Sequence, residues 1–320
     1  MTAPEGREAE RSAATTKSGR DPLIGALLAG RYQIEAFIAE GGMGRVYRAK
    51  QLPLGRTVAV KVITSLGEMG SPNPRRFFLE AKVCATLSHP NIVTVHDYGE
   101  TEDGRLFMAM EYLDGLPLSQ AIEREGPMKP ERFLPIAIQV ARALREAHAR
   151  GVIHRDLKPG NIILVDARDE EGVQSVRVLD FGLVKVFAGE VESANLAVTT
   201  GRGELTHQGA VLGSPRYMAP EQIRGQPLDP RTDVYALGIT LYEMAAGRSP
   251  YEIKDSMIEM LHQHLYAKPR PLDDAVPSDI QRLIMKCIAK DRAERFGSID
   301  ELLKALKEAQ KKSLTGETTG

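Results

Sequence analysis

His154-Arg155-Asp156-Leu157-Lys158-Pro159-Gly160-Asn161 sets a carboxylate, two cations, an imidazole and an amide side by side. Upstream, Phe133, Ile136, Val140, Leu144 and Ala147 recur at helical spacing and mark the apolar face of a long helix. Downstream, Ile162-Ile163-Leu164 reads as a strand, so the eight residues form a loop between the two. After a second strand-like run at 176–179 comes Asp180-Phe181-Gly182. Asn161 and Asp180 supply two oxygen ligands, which suits Mg²⁺, a hard ion that needs few protein ligands when phosphates provide the rest.

Working outward toward the N-terminus, Thr57-Val58-Ala59-Val60-Lys61-Val62-Ile63 alternates as a strand. Val58, Val60 and Val62 fall on one face, and Thr57, Ala59, Lys61 and Ile63 on the other. A lysine in such a strand needs an anion unless its stem lets the ammonium reach water. A helix capped by Asn73, with Pro74 in its first position, offers a matching feature. Phe77, Glu80, Cys84 and Leu87 share one stripe, so Glu80 interrupts an apolar face and is the expected partner of Lys61. Before the strand lies Glu40-Gly41-Gly42-Met43-Gly44, whose glycines let backbone amides approach a polyphosphate. Taken alone, that loop reads equally well as a flexible hairpin.

Short strands at 32–38, 45–49, 57–63, 92–98 and 106–112 give way to helices, the later ones near 232–246, 256–266, 278–289 and 299–310. The expected fold is α+β and bilobal, with a small β-rich lobe over about 31–112 and a larger helical lobe over about 117–310. Tails are expected at 1–22 and 311–320, leaving a domain over 23–310. With Lys+Arg 42 against Asp+Glu 43, the net charge of -1 argues against a nucleic-acid surface covering the molecule. No apolar run approaches the roughly 20 residues that cross a bilayer, so no membrane segment is expected. The polar N-terminus reads as neither signal peptide nor anchor. Cys84 and Cys287 lie far apart without metal-ligand spacing. They read as free thiols in a reducing compartment, hence a cytoplasmic location or the cytoplasmic piece of something larger.

Taken in order, the glycine loop, Lys61, Glu80, His154–Asn161, Asp180-Phe181-Gly182 and Ala219-Pro220-Glu221 resemble the signature set of the protein-kinase superfamily. The resemblance spans about 32–310. Gly-Gly-Met-Gly at 41–44, His89-Pro90-Asn91-Ile92 and Lys158-Pro159-Gly160-Asn161 look most like the bacterial (Hanks-type) serine/threonine kinases. It implies ATP-dependent transfer of the γ-phosphoryl group to serine and threonine hydroxyls of protein substrates, with Mg²⁺, or Mn²⁺ as an alternative, as cofactor. It further implies that Ile38, Ala39, Glu40, Gly41, Gly42, Met43, Gly44, Val46 and Ala59 surround the nucleotide. Lys61, held by Glu80, would meet its phosphates. Met110 falls at the gatekeeper position, and Glu111, Tyr112 and Leu113 at the adenine-binding hinge. Asp156 and Lys158 would be catalytic, Asn161 and Asp180 would hold the metal, and His154 would be a buried structural residue. Glu221 is expected to pair with Arg295, and Asp233 to anchor the catalytic loop.

Two departures stand out. Ser214 replaces the family's usual threonine but keeps a hydroxyl able to bond Asp156 and Lys158. Ala39 occupies the first glycine position of the phosphate-covering loop, where a methyl group is expected to weaken nucleotide binding modestly. Arg155 resembles the arginine that binds a phosphorylated activation segment, which marks Thr199, Thr200 and above all Thr206 as candidate autophosphorylation sites.

Overall fold

The computed structural model describes residues 21–41, 44–63, 74–168, 173–181 and 214–315, with the backbone alone at Arg76, Glu80, Ala167 and Arg168. Alternation in β4 (Arg56–Ile63) organises the small lobe. Val58, Val60 and Val62 join Tyr32, Tyr47 and Phe107 in one apolar cluster, while Ala59 and Ile63 join Phe77, Met108 and Met110 in another. Both faces of the sheet are therefore covered. The strands are β1 (Leu27–Leu28), β2 (Tyr32–Gly41), β3 (Gly44–Gln51), β4, β5 (Val95–Glu100) and β6 (Leu106–Glu111), in the antiparallel order β1-β2-β3-β4-β6-β5. Gly44 opens β3 at a point where a Cβ would sit 2.2 Å from the Val62 carbonyl oxygen. Only glycine lets β3 and β4 run this close.

Helix α1 (Pro74–Thr86) begins at the proline that suits its first position. Its stripe spans two cores: Phe77 packs in the small lobe, while Cys84, with Leu87 just beyond the helix, packs in the large one. The strand expected at 92–98 starts three residues later, at Val95. The reason is that Asn91–Val93 already pairs with the large lobe. Val93 N donates to Val178 O at 3.0 Å, and Val178 N to Asn91 O at 2.9 Å. The Asn91 amide adds bonds to Gln139 Oε1 and Val176 O.

Below the cleft, β7 (Gly115–Pro117), β8 (Ile162–Arg168) and β9 (Gln174–Val178) form a small sheet. Helices α2 (Leu118–Glu125), α3 (Pro130–Ala149), α4 (Pro220–Ile223), α5 (Arg231–Ala246), α6 (Met257–Tyr266), α7 (Ser278–Cys287) and α8 (Ile299–Thr315) complete the lobe. Most of α5 is buried, as befits a helix surrounded by others. At Gly238 a Cβ would come within 2.4 Å of Cys287 Cβ, so α5 and α7 touch backbone to side chain there.

Both expected tails are shorter than the sequence suggests. Asp21 accepts from the Tyr47 hydroxyl at 2.9 Å, and α8 continues to Thr315, with Ser313 Oγ donating to Glu131 Oε1 at 2.6 Å. Among the described residues no helix is long and apolar enough to cross a membrane.

Candidate active site

The loop between α3 and β8 is held from beneath by one buried carboxylate. Asp233, in the first turn of α5, is fully buried. It accepts from His154 N at 2.8 Å and Arg155 N at 3.0 Å, and His148 Nε2 lies 2.7 Å from its Oδ2. Burial opposes its charge, yet the His148 hydrogen bond and the neighbouring imidazoles hold its pKa below the usual carboxylate value. These bonds fix Arg155 at a φ of 69°, a left-handed conformation that costs a non-glycine residue about 1–3 kcal/mol. Gln222 Nε2 secures the same residue by donating to its carbonyl at 2.9 Å. His154 itself is fully buried, with Nε2 2.9 Å from Leu179 O and its ring against Phe181.

On that support three segments meet. Lys158 Nζ donates to Asp156 Oδ2 at 2.9 Å and to Ser214 Oγ at 2.6 Å. The Ser214 hydroxyl thus reaches Lys158, but Asp156 is met by the Ser214 backbone, whose N–H donates to Oδ1 at 2.9 Å. Asn161 Nδ2 donates to Asp156 O at 2.8 Å and lies 3.5 Å from Asp156 Oδ2. The amide nitrogen is thereby occupied, which turns the oxygen Oδ1 into the free ligand.

Asp180 enters from the opposite wall, linked to this loop through Leu179 N, which donates to Asn161 O at 2.8 Å. Its φ of 58° is again left-handed, and the strained backbone aims its side chain at the cleft. Lys61 Nζ donates to Asp180 Oδ2 at 2.7 Å. Partial burial works against the Asp180 charge, but the Lys61 ammonium holds its pKa below the ordinary carboxylate range. The Cys84 thiol donates to Phe181 O at 2.7 Å and so ties α1 to this segment. Met110 lines a small cleft together with Cys84, Met108, Asp180 and Phe181.

The structure therefore gathers Lys61, Asp180 and the loop residues Asp156, Lys158 and Asn161, from three separate stretches of the chain, where the two lobes meet. Above it, Ile38 is 45% exposed, Ala59 is buried and Val46 half-buried, with Ala39 pairing with Val46 across β2 and β3. Glu40 pairs with Arg45 at 3.1 Å, and Gly41 has open space around it. Glu111 ends β6, where its carboxylate accepts from Thr94 N at 2.8 Å; Leu113 packs beside Met110. Gly42, Met43, Thr199, Thr200 and Thr206 lie outside the described residues, as does the side chain of Glu80, the expected partner of Lys61.

The donor set fits a hard divalent cation: the Asp180 carboxylate and the Asn161 amide oxygen sit on segments joined by the Leu179 N–H bond to Asn161 O, with Lys61 to balance phosphate charge. Sequence reasoning missed His148, Gln222 and the Ser214 backbone as supports. None carries a local signal, because each works through a fold-level contact. It found Glu221 and Arg295, which form a bidentate pair at 2.7 and 2.9 Å.

A family model described as the protein kinase domain matches residues 32–306. Similar proteins include the serine/threonine-protein kinase pkn3 of Myxococcus xanthus, 41% identical over 88% of this chain and 50% of that protein. PknA of Mycobacterium tuberculosis is 37% identical over 87% and 61%, and PrkC of Bacillus subtilis 36% over 90% and 42%. The chain thus spans about half the length of these relatives. Among solved structures, the Mycobacterium tuberculosis PknI kinase domain superposes with a TM-score of 0.66 at 28% identity, covering 89% of this chain and 97% of that one. With the family model matching nearly the whole described chain and the cleft built as above, the chain belongs to the protein kinase domain family, among the bacterial serine/threonine kinases.

Proposed function

We propose that the chain transfers the γ-phosphoryl group of ATP to serine and threonine hydroxyls of proteins, in the cytoplasm where ATP is available. The observation that carries this reading is the junction of Asp156, Lys158 and Ser214 beside Asp180 and Asn161. The acceptor hydroxyl sits against Asp156, which orients it and takes its proton as the oxygen bonds to the γ-phosphorus and the bond to the ADP oxygen breaks. Lys158 stabilises charge on the transferring group, and Lys61 steadies the phosphates behind it. Mg²⁺, held by Asn161 and Asp180, supplies charge neutralisation on the phosphate oxygens when bound, and Mn²⁺ shares that oxygen chemistry. Ile38, Val46 and Ala59 cover the adenine, while the backbone of Glu111 and Leu113 hydrogen-bonds its edge.

Lys158 two residues after Asp156, and its bond to the Ser214 hydroxyl, favour serine and threonine acceptors over tyrosine. Arg155 resembles the arginine that binds a phosphorylated activation segment, which supports autophosphorylation between Gly182 and Gly213, foremost at Thr206, as a step that raises activity. Incubation with radiolabelled ATP, Mg²⁺ and a generic protein tests the reaction. Label enters the protein with the unaltered chain and is lost in Lys61→Met and Asp156→Asn. Nucleotide binding without any incorporation refutes the enzymatic reading. Phosphopeptide mapping of active enzyme that finds no site between Gly182 and Gly213 refutes the regulatory one.

A further inference from the structure

Arg216 lies two residues beyond Ser214, in the helical turn Pro215–Tyr217 beside the cleft. Its Nη2 donates to Glu243 Oε1 at 3.3 Å, while the Tyr217 hydroxyl donates to Glu243 Oε2 at 2.8 Å. Both oxygens of that buried carboxylate are therefore taken. Arg216 is not saturated in return. Its Nε is buried and, among the described residues, has no hydrogen-bond partner, an unfavourable state for a cationic donor. Arg216, its side chain 41% exposed, lines a small surface pocket together with Ser249, Tyr251, Met260, Gln263 and His264. Glu252 also lines the pocket, with Lys254 Nζ paired to its carboxylate at 2.9 Å.

We propose that Arg216 and this pocket form a peptide subsite that accepts an acidic side chain, carboxylate or phosphate, close to the phosphorylated hydroxyl and rejects a basic one. The placement follows from Ser214, whose N–H and hydroxyl touch Asp156 and Lys158. Two residues of chain reach at most about 7 Å, so the subsite reads a position within about three residues of the acceptor. The sign follows from occupancy. Glu243 alone would offer an incoming lysine or arginine a buried partner, but Arg216 and Tyr217 already cap it. What faces the pocket is a guanidinium with donors to spare, matched in geometry to carboxylate and phosphate oxygens.

This inference rests on the kinase reading, and the test separates the two. Serine peptides carrying Asp, phosphoserine, Ala or Lys at each flanking position are phosphorylated with the full chain, ATP and Mg²⁺. At one position near the acceptor, Asp or phosphoserine should raise kcat/KM about five- to tenfold over Ala, and Lys should lower it, as one half-exposed charge-assisted bond would. The Asp and phosphoserine arms tell which anion is preferred. Arg216→Gln should flatten the profile and Arg216→Lys retain most of it. Because Arg216→Gln leaves Glu243 without its cation, the pair Arg216→Gln with Glu243→Gln is measured as well and should be equally flat. A wild-type profile that does not distinguish acid from base, or one that survives in both Gln variants, overturns the subsite alone. Failure to phosphorylate any peptide overturns the kinase reading and the subsite with it.

Discussion

Two sets of charges lie on either side of the same loop and are treated in opposite ways. Beneath it, Arg295 is enclosed and uses all its donors: Nε to Ala289 O, Nη1 to Glu221 and Arg231 O, Nη2 to Glu221 and Lys290 O. Glu221 accepts a further bond from Thr232, and Asp233 is closed off in the same fashion. In the cleft, Lys158 and Asp180 keep 29% and 24% of their side chains exposed, and their contacts cross between separate segments. A saturated buried pair has nothing left to offer a ligand, whereas a pair with one partly exposed member, as in Lys158–Asp156 and Lys61–Asp180, can exchange its partner for phosphate or metal. Because Lys61 and Asp156 are themselves buried, it is saturation more than burial that separates the charges that hold the fold from those that face the substrate.

Variants on the two sides of the loop should separate along that line. The largest effect is expected for Asp156→Asn, which keeps shape and removes the base. Phosphoryl transfer should fall about 10²–10⁴-fold, while urea denaturation shifts by about 1 kcal/mol or less. Equal losses in both would erase the distinction. Next comes Arg295→Met, which strands Glu221 in the interior and should cost about 3–5 kcal/mol of stability, read from the urea midpoint. Adding Glu221→Leu should recover much of that loss, and failure to do so would mean that the pair acts through more than its charges.

A smaller effect is expected from pH. Burial, followed by the neighbouring Lys290 charge, pushes the His264 pKa down to about 3, so the folded protein keeps this imidazole neutral. The unfolded chain takes up a proton below about 6.5, so stability is full above that value and declines as pH falls toward 3. From pH 7.5 to 5.5 the decline should be about 1.4 kcal/mol. His264→Gln should flatten the profile across this interval, and an unchanged slope would place the titration elsewhere. The smallest effect is expected for Ala39→Gly, which relaxes the loop over the phosphates. ATP affinity should tighten about two- to threefold, roughly 0.5 kcal/mol, by calorimetry. A weaker affinity would show that the methyl group helps.

Much of this division was legible in the chain itself. A lysine in a valine strand is an anomaly that announces a partner, and Lys61 has one, while the family resemblance points to Asp233 as the anchor of the catalytic loop. The short order of residues from His154 to Asn161 fixed the loop because its chemistry is local. The register of β5 was not legible, since Asn91–Val93 is drawn away by β9, some eighty residues on. Nor was the direct Lys61–Asp180 contact, which depends on how the two lobes meet, nor the extension of α8 to Thr315, which rests on Glu131 receiving Ser313. The Nε of Arg216, buried without a partner among the described residues, belongs with these, because burial of a single atom is a property of packing alone.

A crystal structure with Mg²⁺ and a non-hydrolysable ATP analogue reaches furthest into this account. The triphosphate should lie between the lobes, with the metal about 2.0–2.1 Å from Asn161 Oδ1 and an Asp180 oxygen, and with Lys61 Nζ turned toward phosphate. A nucleotide bound elsewhere, or a metal that touches neither Asn161 nor Asp180, would contradict it.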